Sequence, residues 1–153
     1  MKRRQLSKKD VKEINETLEK EFSVKELLDK KTNAEVIDDR FIKINRETMF
    51  FYLDGKVIPT LKNILKNNFL KKITVDMGAV KFVVKGADIM RPGIVEIENG
   101  IKQNETISIV DQNNKKPIAV GIALLNSEDM KNTKEGKVIK NIHYVGDEIW
   151  TSY

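Results

Sequence analysis

The stretch VDMGAVKFVVKGADIMRPGI, from Val75 to Ile94, decides the fold of the C-terminal half of this chain. Its first residues end an apolar strand, and the run from Ala79 to Lys85 predicts one or two turns of helix that Gly86 ends. Arg91-Pro92-Gly93 predicts a turn, because proline fixes its own φ and glycine tolerates positive φ. The stretch therefore predicts a strand, a short helix and a return into a second strand.

Alternating apolar runs after this stretch predict more strands than helices. Strands are expected at 94–97, 106–110, 117–124 and 137–145, with one turn of helix at 127–131. The pattern favours a small, twisted, mainly β barrel with one short helix inserted after its first strand.

The N-terminal half mixes helix and strand signals. Ser7 and Asp10 predict a capping box before apolar residues at helical spacing, and Ser23 with Glu26 suggests a second, short helix. Strands are expected at 34–37, 41–44 and 49–53. Asp54-Gly55 predicts a hairpin turn, and Pro59-Thr60 predicts the start of another helix. We expect an α+β N-terminal domain over residues 1–70 and a mainly β pseudo-barrel over residues 71–153.

Composition excludes several classes of protein. The 153 residues contain no cysteine and one histidine, so disulfides, thiolate nucleophiles and thiolate metal sites are excluded, and we expect neither a metal nor a cofactor. The longest uncharged apolar run, from Ile118 to Leu125, is too short for the roughly 20 residues of a membrane-spanning helix. The N-terminus has no secretory signal pattern, and the expectation is a soluble, cytoplasmic protein with no membrane partner.

The net charge of +5 is unevenly distributed. Residues 1–70 carry 16 Lys+Arg against 12 Asp+Glu, whereas residues 71–153 carry 12 against 11. No acidic residue lies between Asp54 and Asp76, and a second lysine-rich window covers residues 131–143. Such clusters attract phosphate, although solvated surface lysines are the plain alternative.

The stretch from Val75 to Ile94 resembles the opening of a PUA domain, the RNA-binding module named after pseudouridine synthases and archaeosine transglycosylases. Two further segments make the resemblance more specific than the PUA domain alone. They are NIHYVGDEIW, from Asn141 to Trp150, and the segment from Ser127 to Met130. Together with TMFFYLDGKVIPTLKNIL, from Thr48 to Leu65, they resemble the malignant T-cell amplified sequence 1 family and the related N-terminal part of ligatin. The chain looks like an archaeal-type relative.

The resemblance implies RNA binding and a role in translation on the small ribosomal subunit, in initiation, reinitiation or tRNA release. The RNA would be rRNA or tRNA. Eukaryotic relatives work with a density-regulated partner that supplies an initiation-factor-like domain, so a partner protein of that kind is an open alternative here. An accessory role in RNA modification or ribosome biogenesis, and a mainly protein-binding adaptor, also stay open.

Site residues follow from the same resemblance. PUA domains meet RNA in a cleft formed by the loop after the first strand, the inserted helix and the last strand. Transferred to this sequence, the RNA-binding candidates are Gly78, Ala79, Lys81, Lys85, Arg91, Lys137 and Lys140. Gly78 and Ala79 would let a phosphate reach backbone N–H groups, and the basic residues would contact phosphates around it. A second candidate basic surface comprises Lys62, Lys66, Lys71 and Lys72.

A catalytic function finds no support in the motifs. Asp76, Asp88 and Asp147 lie near glycines, but no pair has a spacing that dictates shared chemistry. No P-loop, dinucleotide fingerprint or GxSxG occurs, and His143 lacks a second ligand or acid pair. We predict a non-enzymatic protein, with His143 in a structural role.

Overall fold

The computed structural model describes residues 1–25, 27–29 and 32–152. Its contacts divide the described chain into two compact units, residues 1–63 and residues 64–152. Each unit has its own sheet.

The N-terminal unit is built on a five-stranded antiparallel sheet. Its elements are β1 (Arg3–Gln5), α1 (Lys8–Phe22), β2 (Ala34–Ile37), β3 (Phe41–Ile44), β4 (Glu47–Leu53) and β5 (Lys56–Pro59), and α2 (Leu61–Lys66) follows. The strands lie side by side in sequence order, and each pairs with its neighbours in antiparallel fashion. Among these elements β1 was not expected, because Arg3-Arg4-Gln5 carries no apolar pattern; all three residues are exposed.

The predicted caps and turns determine where α1 and the central hairpin begin and end. Ser7 and Asp10 form the capping box of α1, and Asp54 and Gly55 turn the β4–β5 hairpin with φ of 49° and 78°. Ser23 adopts φ 57° and ends α1, so it does not open another helix. Leu27 and Leu28 lie in a bend; the Glu26 half of the predicted cap lies outside the described residues.

The C-terminal unit is a nearly closed β barrel. Its elements are β6 (Lys72–Val75), α3 (Met77–Val83), β7 (Ile89–Met90), a 3₁₀ turn (Arg91–Gly93), β8 (Ile94–Ile97), β9 (Thr106–Asp111), β10 (Pro117–Ala123), α4 (Ser127–Asn132), β11 (Lys137–Tyr144) and α5 (Glu148–Thr151). The strand order is β7-β11-β10-β9-β6-β8, with β6 and β9 parallel and the other pairs antiparallel. The predicted fold class, an α+β domain followed by a mainly β barrel with one short inserted helix, is confirmed.

Branched aliphatic side chains fill the barrel. The buried cluster includes Ile73, Val75, Ile107, Ile109 and Ile139, contributed by β6, β9 and β11. Because alternate strand residues face opposite sides, these strands turn one apolar set inward. The barrel holds α3 and β11 as neighbours, and their outer surfaces carry most of the candidate site residues.

We propose that the junction between the two domains lies at residues 68–72. Ser108 of β9 accepts a hydrogen bond from the Asn68 side chain at 3.0 Å and donates its backbone N–H to the Lys71 carbonyl oxygen at 2.9 Å. Leu70 is buried. The segment just before β6 therefore belongs to the barrel, and the domain boundary stays a prediction to be measured.

A fragment covering residues 71–153 should fold alone and unfold cooperatively in denaturant, because the buried cluster lies within it. A fragment covering 64–153 should be more stable by about 1 to 3 kcal/mol, since it adds Leu70 and the Asn68 hydrogen bond. Urea unfolding followed by circular dichroism measures both. Aggregation of the shorter fragment, or a transition without cooperativity, would refute the proposed junction.

Candidate nucleic-acid interface

The start of α3 is closed by the chain's own carboxylate. Asp76 is the N-cap, and its Oδ1 accepts the backbone N–H of Ala79 at 2.8 Å. A phosphate placed on this N–H would have to displace a negatively charged group. The Ala79 N–H of the expected phosphate site is thus already accepted internally, while the exposed Gly78 stays a candidate.

The three glycines near α3 differ in what they do for the fold. Gly86 adopts φ 95°, and a Cβ there would lie 2.9 Å from the Tyr144 ring. A Cβ on Gly93 would lie 3.0 Å from the Ala79 methyl group. At Gly78 a Cβ would meet only the Asp76 carboxylate, at an ordinary 3.4 Å, and the residue is exposed. Neither backbone conformation nor packing requires glycine at position 78.

Three of the candidate lysines are exposed and form no ion pair within the part of the chain that the structure describes. Lys81 lies on α3, Lys85 lies in the turn after it, and Lys140 lies on β11. Asn141, next to Lys140, donates its side-chain amide to the carbonyl oxygens of Val83 and Ala87, both at 3.0 Å. This link holds the end of α3 against β11, so the three lysines lie on neighbouring segments.

Two other candidates are held by internal contacts. Arg91 donates Nε to the Met130 carbonyl oxygen at 2.8 Å and Nη1 to the Ile94 carbonyl oxygen at 3.2 Å. Lys137 lies 3.3 Å from a carboxylate oxygen of Asp88. Both side chains therefore stabilise the barrel, and each has less capacity left for phosphate than the three exposed lysines.

The second candidate basic surface contains one lysine that is anchored to the barrel. Lys71 donates Nζ to the Gly100 carbonyl oxygen at 2.9 Å and pairs with Glu105 at 3.1 Å. Lys72 and Lys66 are exposed, while Lys62 is half-buried. Lys71 is thus tied to the barrel, and the other three remain candidates for a supporting role.

Sequence reasoning missed Phe82. This side chain on α3 is 57% exposed, and the Lys81 ammonium lies 5.3 Å from its ring centroid. The sequence did offer a signal for Phe82. It lies next to Lys81 and three residues before Lys85, on the charged side of the helix. By contrast, Phe50 and Phe51 of β4 are both buried and offer no surface to a ligand.

His143 is a buried structural residue. Its ring has no exposed surface, and Nδ1 donates to Asp147, whose Oδ2 lies 2.9 Å away. Asp147 also accepts the backbone N–H groups of Tyr144 and Trp150, and it is the N-cap of α5. Burial alone would raise the pKa of the Asp147 carboxyl, but these hydrogen bonds outweigh it and lower that pKa below its ordinary value of 3.8.

Replacing Asp147 should destabilise the barrel in a pH-dependent way. Asp147→Ala removes a helix cap and leaves a buried imidazole N–H without its acceptor, so we expect a loss of about 2 to 4 kcal/mol at pH 7. Because the folded pKa is lowered, the stabilisation is present above about pH 4 and is lost as pH falls through the folded pKa. The difference in unfolding free energy between the two proteins should therefore stay constant from pH 7 to about pH 4 and narrow below it. A difference that already narrows above about pH 5, or that widens below about pH 4, would contradict the assigned role.

The three carboxylates considered for catalysis all have structural partners. Asp76 caps α3, Asp147 caps α5, and Asp88 accepts the Asn141 backbone N–H while pairing with Lys137. Among the described residues, no group of three or more His, Asp or Glu side chains could hold a metal ion. No helix in the described ranges is long and apolar enough to cross a membrane.

Comparison with known families matches both halves of the chain. Residues 71–145 match the PUA domain, and residues 2–67 match a domain of unknown function, DUF1947. An uncharacterized protein of Methanocaldococcus jannaschii is 51% identical, with 97% of this chain and 95% of that protein covered. Translation machinery-associated protein 20 of Schizosaccharomyces pombe is 32% identical over 83% of this chain and 76% of its own length. Malignant T-cell-amplified sequence 1 of Rattus norvegicus is 34% identical over 71% of this chain and 63% of its own length.

Solved structures agree with these matches. A hypothetical protein of Pyrococcus horikoshii superposes with a TM-score of 0.86 at 33% identity, covering 97% of this chain and 98% of that one. A chain of an H/ACA ribonucleoprotein bound to a substrate RNA superposes with a TM-score of 0.51 at 25% identity, over 63% of this chain and 29% of that one.

The barrel with its inserted helix is thus a PUA domain, preceded here by a small α+β domain. The chain belongs to the family that contains translation machinery-associated protein 20 and malignant T-cell-amplified sequence 1. The family resemblance predicted from the sequence is confirmed.

Proposed function

We propose that this chain is a non-enzymatic RNA-binding protein that acts in translation, in the cytoplasm, on the small ribosomal subunit. The RNA, either rRNA or tRNA, contacts one face of the PUA domain. We call this the α3–β11 face and define it by Gly78, Lys81, Phe82, Lys85 and Lys140.

The observation that carries the proposal is that three exposed lysines lack a carboxylate partner among the described residues. Lys81, Lys85 and Lys140 have no carboxylate partner among the described residues, although they lie on adjoining segments that Asn141 ties together. Cations without a carboxylate partner attract phosphate groups, and phosphate binding releases counterions. The name of one relative, translation machinery-associated protein 20, supports a role in translation.

The absence of catalysis is part of the proposal. Asp76, Asp88 and Asp147 are each engaged by a helix cap, a backbone N–H group or an ion pair. The Ala79 N–H is also not free to bind an oxyanion, since Asp76 accepts it. The purified protein should neither hydrolyse nucleotides nor cleave or modify tRNA.

Co-sedimentation with purified small ribosomal subunits tests whether the protein acts on the small subunit. The protein should pellet with small subunits in low salt, and the variant carrying Lys81→Ala and Lys85→Ala should stay in the supernatant. The variant carrying Lys8→Ala and Lys9→Ala is the matched control, because these two exposed lysines lie on α1 in the other domain. Equal pelleting of all three proteins would contradict the assigned face.

A second candidate function, an accessory role in RNA modification or ribosome biogenesis, is favoured by one observation. The H/ACA ribonucleoprotein chain that superposes on this one was solved with a substrate RNA. Co-purification of the protein with a modification enzyme or with precursor rRNA, in place of mature small subunits, would favour this role. An initiation-factor-like partner protein is compatible with either setting.

A further inference from the structure

We propose that the groove between α1 and the β4–β5 hairpin docks an extended segment of a partner protein, with an arginine side chain of that segment in the groove. The site lies within the N-terminal unit and goes beyond the proposed RNA binding. The groove has a volume of about 160 Å³. Four residues of α1 and two of the hairpin line it: Asp10, Glu13, Ile14, Thr17, Tyr52 and Val57.

The walls of the groove combine apolar and acidic side chains. Ile14 and Val57 are buried, Tyr52 is half-buried, and Glu13 is exposed. The volume is close to the about 150 Å³ of a protein cavity that holds one benzene molecule. A guanidinium group is similarly flat, stacks on aromatic rings, and brings methylene groups that pack on aliphatic side chains. The groove therefore fits the end of an arginine side chain.

Two oxygen-bearing groups at the groove have unused hydrogen-bonding capacity. The Glu13 carboxylate and the Tyr52 hydroxyl have no hydrogen-bond partner within the described part of the chain. Asp10 is held from one side, because its Oδ2 accepts the Ser7 backbone N–H at 3.2 Å and the Arg4 Nη1 at 3.4 Å. A guanidinium has five N–H donors and no acceptor, so it can bond to both unused groups at once.

The electrostatic field in the groove is negative, although the whole chain carries a net charge of +5. Burial raises the pKa of the Tyr52 phenol, and the negative charge of Asp10 raises it further. Arg4 lowers this pKa by less than Asp10 raises it, and Glu13 adds to the rise. A cation is therefore favoured here. An arginine suits two oxygen acceptors better than a lysine, because its planar fork bonds to both in fixed geometry.

The backbone of β5 indicates that the cation belongs to a protein segment. β5 is an edge strand and pairs only with β4 among the described strands. Tyr52 donates its backbone N–H to the Arg40 carbonyl oxygen at 2.8 Å, away from β5, so Tyr52 and Val57 form a non-hydrogen-bonded pair. The N–H and C=O of Val57 therefore point to the open edge. An added extended segment can pair with them and place its arginine in the adjoining groove.

A peptide titration tests the docking site in the full chain. The probe is a blocked pentapeptide, Thr-Val-Arg-Val-Thr, and the same peptide with citrulline in place of arginine is a neutral control of similar shape. NMR of the isotope-labelled protein should show shifts within residues 10–17 and 52–57. The citrulline peptide should bind about tenfold more weakly, because it lacks the charge-assisted hydrogen bonds. Hydrogen exchange of the Val57 amide should slow when the arginine peptide binds.

A pair of variants assigns the binding to this face of α1. Glu13→Gln should weaken binding of the arginine peptide by about two- to fivefold, the effect of one exposed ion pair. Glu19→Gln is the matched control, since Glu19 is exposed on the opposite side of α1, and it should bind like the natural protein. Both variants should bind RNA unchanged, so failure of the groove and failure of the proposed RNA binding are distinguishable.

The following outcomes would overturn the proposal. Equal affinities for the arginine and citrulline peptides, or equal affinities of the Glu13→Gln and Glu19→Gln proteins, would show that the groove does not bind a cation. N-acetyl-arginine methylamide should bind more weakly than the pentapeptide, because it offers less backbone to β5. Equal binding of these two probes, or unchanged exchange at Val57, would show that the groove takes a free cation and docks no protein segment.

Discussion

Gly121→Ala is expected to destabilise the PUA domain by about 3 kcal/mol or more. A Cβ at this position would lie 2.6 Å from a methyl carbon of Ile139 and 2.9 Å from the Lys140 carbonyl oxygen. The second contact is backbone of β11, which cannot move without breaking its pairing with β10. Overpacking of a closed core usually costs about 1 to 3 kcal/mol, and a clash with backbone lies at the upper end or beyond.

Gly78→Ala is the matched control for this change. Its new methyl group meets nothing closer than 3.4 Å, so the variant should be as stable as the natural protein or up to about 1 kcal/mol more stable. Urea unfolding at pH 7 measures both. A Gly121→Ala protein within 1 kcal/mol of the natural one would show that β10 and β11 are not packed as described.

Replacing Lys81 and Lys85 together by alanine should have the largest effect on RNA binding. Each lost phosphate contact lowers the slope of log affinity against log salt by roughly 0.7 to 0.9, so two contacts flatten it by about 1.4 to 1.8. If binding converges at about 1 M salt, the loss at 0.1 M is about 25- to 60-fold. Fluorescence anisotropy with single-stranded RNA over a salt series gives the slope directly.

The variant with Lys8→Ala and Lys9→Ala controls for bulk charge. It removes the same charge from exposed positions on α1 and should keep both the slope and the affinity of the natural protein. Surface changes of this kind alter stability by no more than about 0.5 kcal/mol, so unfolding measurements should agree for all three proteins. Equal losses in the two double variants would assign RNA to the N-terminal domain or to the basic segment from Lys56 to Lys72.

The fold was predictable because its signals are local. The Ser7 capping box and the Asp54-Gly55 turn each depend on a few consecutive residues, and each lies where the sequence predicts it. The predicted helix at 79–85 instead covers Met77–Val83, because Asp76 caps its start, and Gly86 lies in the turn after it. The short elements β7 and α5 were not expected. A two-residue strand such as Ile89–Met90 has no periodicity to detect, and its pairing partner, β11, lies about fifty residues away.

The site was predictable only in part, because side-chain partners come from distant segments. Arg91 finds the carbonyl oxygen of Met130, and Lys137 finds Asp88. No local pattern distinguishes these anchored cations from Lys81 or Lys85. An aspartate three residues before Ala79 is a helix-start signal, and the cap at Asp76 explains why the Ala79 N–H already has an acceptor.

Crosslinking tests the central claim most directly. Ultraviolet irradiation of cells that express the protein, followed by sequencing of the bound RNA and mass spectrometry of the crosslinked peptides, identifies both partners at once. We predict small-subunit rRNA or tRNA attached to peptides within residues 77–87 and 137–144. Crosslinks confined to residues 1–72, or RNA recovery no greater than from the Lys81→Ala, Lys85→Ala variant, would contradict binding through the α3–β11 face.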